Sequence, residues 1–435
     1  MFRCMYGYIH ATKRACVPTI KKVDICFPLA RSNNMKIRDY ILVVLIIFIG
    51  LFFRRHDAFT HAQIYAEDGP IFFAQYMEQG VGCLLTPYAG YLHTIPRLIA
   101  VFWGTLGIDL ENIPFCYNMS YFALCVMIGF VLLKSARKLE LKHKILFATI
   151  FPFVPVGPEM FMNITNSIWV TSLYLVNFLF VGYSYYEDEK RKGLTLLAIL
   201  LVSLTGPFSL LMSPIVVLII FLERKSMTLT KFIPMGIILA CGATQFILIK
   251  FFSNHDRTIP GTPEKNHFLK LIQYNIADLI YVRNGLIPSM EPLVMTIICL
   301  TIFAGITYMI FRNYRRIAEK RKYVLVLAPI MYMASFIAVF WPMETVVLAF
   351  GCPRYYFVPY TCAAWILIIG SDGIMRIKDI VVYFIYFALH ANNMRFNYMD
   401  KGWKQQMKEY KEGKRDEIDI HPEGWKFRLP QYKKK

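Results

Sequence analysis

Apolar residues in this chain gather in long runs, not in alternating or short amphipathic stretches. The clear runs cover about 39–53, 114–133, 168–186, 233–252, 292–311, 323–341 and 355–370. A shorter, Pro-rich run covers 145–157, and a weak one covers 380–390. The stretch 194–222 is broken by "TGPF" at 205–208, which reads as a helical hairpin turning at Thr205-Gly206-Pro207. Segment 93–107, "HTIPRLIAVFWGTLG", carries His93 and Arg97. Its helix would reach only about 22 Å, short of a hydrocarbon core of about 30 Å, so it reads as interfacial or re-entrant. Together the runs predict an all-α polytopic membrane protein with about 11 membrane-crossing helices.

Composition agrees. Of 435 residues, 56% are hydrophobic and 16% aromatic, too apolar for an ordinary soluble enzyme. The net charge of +19 would suggest nucleic acid in a soluble chain. Here no segment outside the apolar runs is large enough for a nucleic-acid-binding fold, and cytoplasmic loops account for the excess. The 10 Cys residues are scattered with no CxxC pair, against a zinc or redox motif. The first 34 residues are basic and lack an apolar core, so they do not read as a secretory signal. Residues 1–38 read as a basic cytoplasmic segment, with Met35 an alternative start.

Charge sets the orientation. Five basic clusters, at 134–144, 187–192, 224–231, 312–322 and 371–379, hold 19 Lys and Arg. They share one side if 93–107 does not cross and 194–222 is a hairpin. The opposite loops, 54–113, 158–167, 253–291 and 342–354, then hold 8. This topology and the charge contrast agree with each other. By the positive-inside rule the N-terminus is cytoplasmic and the loop 54–113 is outside. The transmembrane domain runs over 39–390, and the tail 391–435 is placed outside.

The polar residues that are out of keeping with an oily chain then share the outer face. "YAEDGPIFFAQY" carries Glu67 and Asp68, and "TPYAGYLHTIPRL" carries Tyr88, Tyr91, His93 and Arg97. "VPVGPEMFMNITNSIW" carries Glu159, Asn163 and Asn166, and "FGCPRYYFVPY" carries Arg354 and Tyr355. Ionisable groups at such positions are functional candidates. Each also has a plainer use. Asp68-Gly69-Pro70 makes a capping turn, Arg97 and His93 snorkel to the interface, the two Asn bridge helices, and Arg354 with its tyrosines forms an interfacial belt. The convergence on one face carries the functional case.

Sugar transfer from a lipid phosphate needs a carboxylate to take the acceptor's proton and a cation, or a metal held by carboxylates, to steady the departing phosphate. Asp68 is the first choice for the base, since Gly-Pro follows it, and Glu67 the second. Arg354, then Arg97, suits the phosphate, because a guanidinium meets it bidentately. The tyrosines Tyr88, Tyr91 and Tyr355 suit the faces of sugar rings.

The order "AEDG…PYAGYLH…PRL", "E…N..N..W", "LTGPF", "RYYFVP" and "HPEGW" resembles the bacterial integral-membrane (GT-C-like) glycosyltransferases, similar to the O-antigen-modifying glucosyltransferases that use polyprenyl-phosphate glucose. It spans most of 35–430. The resemblance implies an acidic motif in the first extracytoplasmic loop, matching Glu67 and Asp68. It also implies inverting glucosyl transfer to O-antigen or a similar glycan at the periplasmic face of the inner membrane. The implied partners are a polyprenyl-phosphate sugar synthase and a flippase. Metal use varies within the class, so a divalent metal stays open. The basic N-terminal extension and the Lys-rich tail depart from the pattern. An O-antigen polymerase and a transporter or flippase of lipid-linked sugars are the alternatives.

Overall fold

The structure is a computed structural model that describes residues 35–182, 192–252, 292–340, 353–372 and 397–431. The weak segment 380–390 and the loop 253–291, expected on the outer side, lie outside the described residues. The described chain is mostly helical. The long runs become Ile37–Arg54, Ile113–Ser135, Ser167–Val181, Leu229–Phe252, Pro292–Arg316, Val324–Phe340 and Phe357–Gly370. Stretch 194–222 becomes two helices, Lys192–Ser203 and Phe208–Glu223, and the turn between them holds Gly206 at φ +77°.

Two described helices, Leu110–Ser135 and Leu229–Phe252, are long and apolar enough to cross a membrane. Ile37–Arg54 has 18 residues but carries Arg38, Asp39 and Arg54 at its ends. It buries Val43, Ile47, Gly50, Leu51 and Arg54, a stripe at helical spacing, and exposes Ile41, Leu45, Phe48 and Phe53. The buried stripe lies against Ile113–Ser135, where a Cβ on Gly129 would come within 2.6 Å of Ile47 Cδ1. Glycine there lets the two backbones approach closely. Ser167–Val181 is buried on every face and packs against six neighbouring helices, as a helix apolar nearly all round must.

Segment 145–157 is not one helix. Leu141–Thr149 is helical, a 3-10 turn follows at Phe151–Phe153, and the chain is extended at Val154. Such broken backbone is tolerated where protein groups satisfy it. Arg54 does this: its guanidinium is buried and donates to the carbonyl of Val156 at 2.7 Å and to that of Val154. Segment 93–107 forms the helix Thr94–Thr105, whose start docks on the 204–206 turn. Gly206 N donates to the carbonyl of Leu92 at 2.8 Å, and Ile95 N donates to Thr205 Oγ1 at 3.1 Å.

The tail adds what an all-α reading omits. After the helix Trp403–Lys411, strands β1 (Glu417–Ile420) and β2 (Trp425–Arg428) pair antiparallel, with Ile418 opposite Phe427. "EIDI" alternates polar and apolar, and its two isoleucines are buried. Trp403, Met407, Tyr410, Ile418, Ile420 and Phe427 share one core with Phe72, Phe73 and Ile113 of the first loop. Trp403 Nε1 donates to the carbonyl of Leu110 at 2.9 Å, and Lys411 pairs with Glu111 at 3.1 Å. Tail and first loop therefore form one packed unit, and whichever side of a membrane holds one holds the other.

Candidate functional site

The acidic pair opens a sequence of tight turns. Ala66–Asp68 is a 3-10 turn, Gly69–Phe73 is π-helical, and Ala74–Gln79 is α-helical. Gly69 is there for space: a Cβ would lie 2.7 Å from the Phe427 ring of the tail. Among the described residues three non-glycines have left-handed backbone: Ala66 (φ 45°), Ala89 (φ 52°) and Met162 (φ 60°). Each such residue costs about 1–3 kcal/mol and persists only where its surroundings hold it. The three precede Glu67, follow Tyr88 and precede Asn163.

The two carboxylates have different surroundings. Asp68 is buried and its oxygens are occupied. Ile164 N donates to Oδ2 at 3.1 Å, Thr165 N to Oδ1 at 2.8 Å, and Thr165 Oγ1 to Oδ1 at 2.5 Å. Burial pushes its carboxyl up to about 7 against the pull of those bonds, and the Glu67 charge adds to the rise. Glu67 is half-buried and accepts from Tyr88 OH at 3.2 Å. Asp68, the first choice for a base from sequence, is thus tied to Ile164 and Thr165 of the turn that follows Met162.

Glu159 lies near Glu67. Its Oε2 accepts from Tyr65 OH at 3.1 Å, and its Oε1 faces Arg354 Nη1 at 4.0 Å. Burial raises the Glu159 carboxyl; Arg354 and Tyr65 oppose the rise and the Glu67 charge adds to it. Asn163 and Asn166 organise their own turn. Both amides donate to the Glu159 carbonyl at 2.7 Å, and Asn166 N donates to Asn163 Oδ1 at 2.8 Å. Next to Arg354, the Tyr355 ring meets Trp169 edge-on at 4.8 Å.

Tyr88 and Tyr91 close a tight turn, exchanging backbone bonds of 3.0 and 3.1 Å across Ala89 and Gly90, both at positive φ. His93 is buried, with Tyr91 stacked on it at 4.6 Å and the Tyr88 ring tilted against it at 5.4 Å. Burial first, and the Arg97 charge second, push its pKa down to about 3, so it is neutral near pH 7. Arg97, one helical turn further on, is buried as well, and its backbone N–H donates to the His93 carbonyl at 3.0 Å. Its Nη2 donates to Gln75 Oε1 at 2.9 Å, while Nε and Nη1 make no hydrogen bond among the described residues.

Several members escaped sequence reasoning. Tyr65, which bonds Glu159, stacks on Tyr398 of the tail at 5.4 Å, and Tyr398 stacks on His421 at 4.5 Å. Arg55 lies 3.9 Å over the Tyr398 ring. Arg55 is itself fully buried, with Nη2 2.9 Å from Asp57 Oδ2 and Nη1 donating to the carbonyl of Phe161. "RRHD" at 54–57 was the available signal, a double arginine and an aspartate at the end of an apolar run.

At the other end of Ile113–Ser135, Glu140, His143 and Asp372 bring one donor atom each to within 4.8 Å of one another. Among the described residues this is the grouping with metal-ligand character, and it does not include Glu67, Asp68 or Glu159.

No protein-family model matches the chain, and no curated protein matches it in sequence.

Proposed function

We propose that this chain is a multi-pass inner-membrane glycosyltransferase that moves a sugar, glucose by resemblance, from a polyprenyl phosphate to O-antigen or a similar surface glycan on the periplasmic side. The observation that carries the reading is the convergence of Glu67, Tyr65, Tyr88, Glu159 and Arg354, from three separate segments, around left-handed non-glycine backbone. Large apolar side chains exposed on Ile37–Arg54 and Leu229–Phe252 support a lipid-facing exterior.

Glu67 is the base in this reading, because its carboxylate has one described hydrogen bond while Asp68 has three. Glu67 takes the proton of the acceptor hydroxyl as that oxygen bonds the anomeric carbon from the face opposite the phosphate. The bond from the anomeric carbon to the phosphate oxygen breaks, and the polyprenyl phosphate leaves with the electron pair. Arg354 meets the charge growing on that phosphate, with Glu159 and Tyr65 holding the guanidinium in place. Tyr88 orients Glu67, and Asp68 is a positioning residue.

The test is glycan composition in a host whose lipopolysaccharide gains the sugar when this chain is expressed with a polyprenyl-phosphate sugar synthase and a flippase. Glu67→Gln should abolish the added sugar at unchanged protein level. Full modification by Glu67→Gln would remove this base assignment, and a changed chain-length ladder with no added sugar would identify a polymerase instead.

A further inference from the structure

The grouping of Glu140, His143 and Asp372 lies beyond the Ser135 end of Ile113–Ser135, a helix about 34 Å long, and the acidic pair belongs to the loop that precedes this helix. The side chain of His143 is fully buried. Neither ring nitrogen makes a hydrogen bond of acceptable geometry. Its Nδ1 is nonetheless 2.8 Å from Asp372 Oδ1 and 3.9 Å from Glu140 Oε2. Both neighbours of Nδ1 are carboxylates, and the three donor atoms lie within 4.8 Å of one another. Donors about 2.0–2.2 Å from one ion stand about 3–3.5 Å apart, and the separations of 2.8 and 3.9 Å bracket that range.

Local structure aims the groups together. Glu140 occupies the N-cap position of Leu141–Thr149 and His143 follows three residues later, so the two share a helix face. Asp372 comes just after the end of Phe357–Gly370, and its Oδ1 also accepts from Glu140 N at 3.3 Å. Two cations face the cluster. Lys142 Nζ is 3.1 Å from Glu140 Oε2, and Lys144 acts on Asp372.

We infer that Glu140, His143 and Asp372 bind a divalent first-row transition ion, of which Zn²⁺ is the natural probe. An imidazole with two carboxylates suits such an ion better than Mg²⁺ or Ca²⁺, which prefer all-oxygen sets. The ion clamps the turn after Ile113–Ser135 to the end of Phe357–Gly370, joining positions more than two hundred residues apart in the chain. Lys142 leaves Glu140 when the ion enters, which limits affinity.

The experiment uses the full chain in lipid nanodiscs, stripped of metal and titrated with Zn²⁺, with Co²⁺ absorption reporting the ligands. The expected result is one ion per chain, a ligand-field spectrum with one nitrogen donor, and a rise in melting temperature with Zn²⁺. His143→Gln and Asp372→Asn should each weaken binding about tenfold or more, since even indirect partners of a ligand are worth 10–100-fold. Lys142→Gln should tighten it, and this variant keeps the test valid where a ligand variant fails to fold. Glu319→Gln, on the Lys138 ion pair nearby, should bind as the wild type does. Absence of uptake by the wild-type chain, or unchanged affinity in both His143→Gln and Lys142→Gln, would overturn the assignment.

Discussion

The two ends of the Ile113–Ser135 helix both bury ionisable groups, but they treat them differently. At the Leu110 end Asp68 receives three hydrogen bonds, and Arg55 is closed on Asp57 and the Phe161 carbonyl. At the Ser135 end His143 is as deeply buried, and its Nδ1 sits between two carboxylates, 2.8 Å from Asp372 and 3.9 Å from Glu140. Burial alone therefore does not mark a working group. A buried group held by several hydrogen bonds serves the architecture, while an imidazole set among carboxylates is placed to meet a cation. The same contrast divides the neighbours Glu67 and Asp68.

Substitutions in the acidic pair test that contrast most strongly. Glu67→Gln should lower sugar transfer by about 10²–10⁴-fold, the usual worth of a general base, with the melting temperature of purified protein unchanged. Asp68→Asn should do the reverse in kind. An amide can accept at only one of the two oxygen positions, and the N–H donor left facing its NH₂ loses its partner. The expected cost is about 2–3 kcal/mol, read in thermal or denaturant unfolding. Equal stability losses from the two substitutions would erase the distinction.

A smaller effect is expected where the tail meets the pair. Gly69→Ala places a methyl against the Phe427 ring and should cost about 1–3 kcal/mol as overpacking. It should also speed proteolytic cleavage within 397–431, because that ring anchors the tail hairpin. Unaltered proteolysis would mean that Gly69 serves only its own turn.

The smallest effect concerns pH. His93 has its pKa depressed to about 3 when folded, against an ordinary value near 6.5, so the unfolded chain binds more protons between these values. Stability should therefore fall as pH drops below about 6.5, with this residue contributing at most about 1.4 kcal/mol per pH unit. His93→Gln should flatten that slope in unfolding measured from pH 7 to pH 5. A slope unchanged by the substitution would show that His93 already takes its proton in the folded state.

Much of the site was legible as a list of residues but not as a set of roles. "YAEDG" stood out because two carboxylates follow an oily run, and "NITN" because asparagines are rare there. Their division of labour was not legible, since the donors to Asp68 come from Ile164 and Thr165, 96 and 97 positions away. Tyr65 and Tyr398 are two of 27 tyrosines along the chain, and nothing in their spacing set them apart.

Sequence alone determined where the helices run, because unbroken apolar stretches are a local property that backbone hydrogen bonding converts directly into helix. It also located the Gly-Pro turn of the 194–222 hairpin and the candidate carboxylates. Only the tertiary structure decided that Arg54 repairs a broken segment, that the tail caps the first loop, that Asp68 accepts three described hydrogen bonds where Glu67 accepts one, and that Asp372 meets His143. Each of these is a contact between positions far apart in the chain. Hydrogen bonds and ion pairs act over a few ångströms of space, and no pattern along the sequence records which distant partner will arrive there.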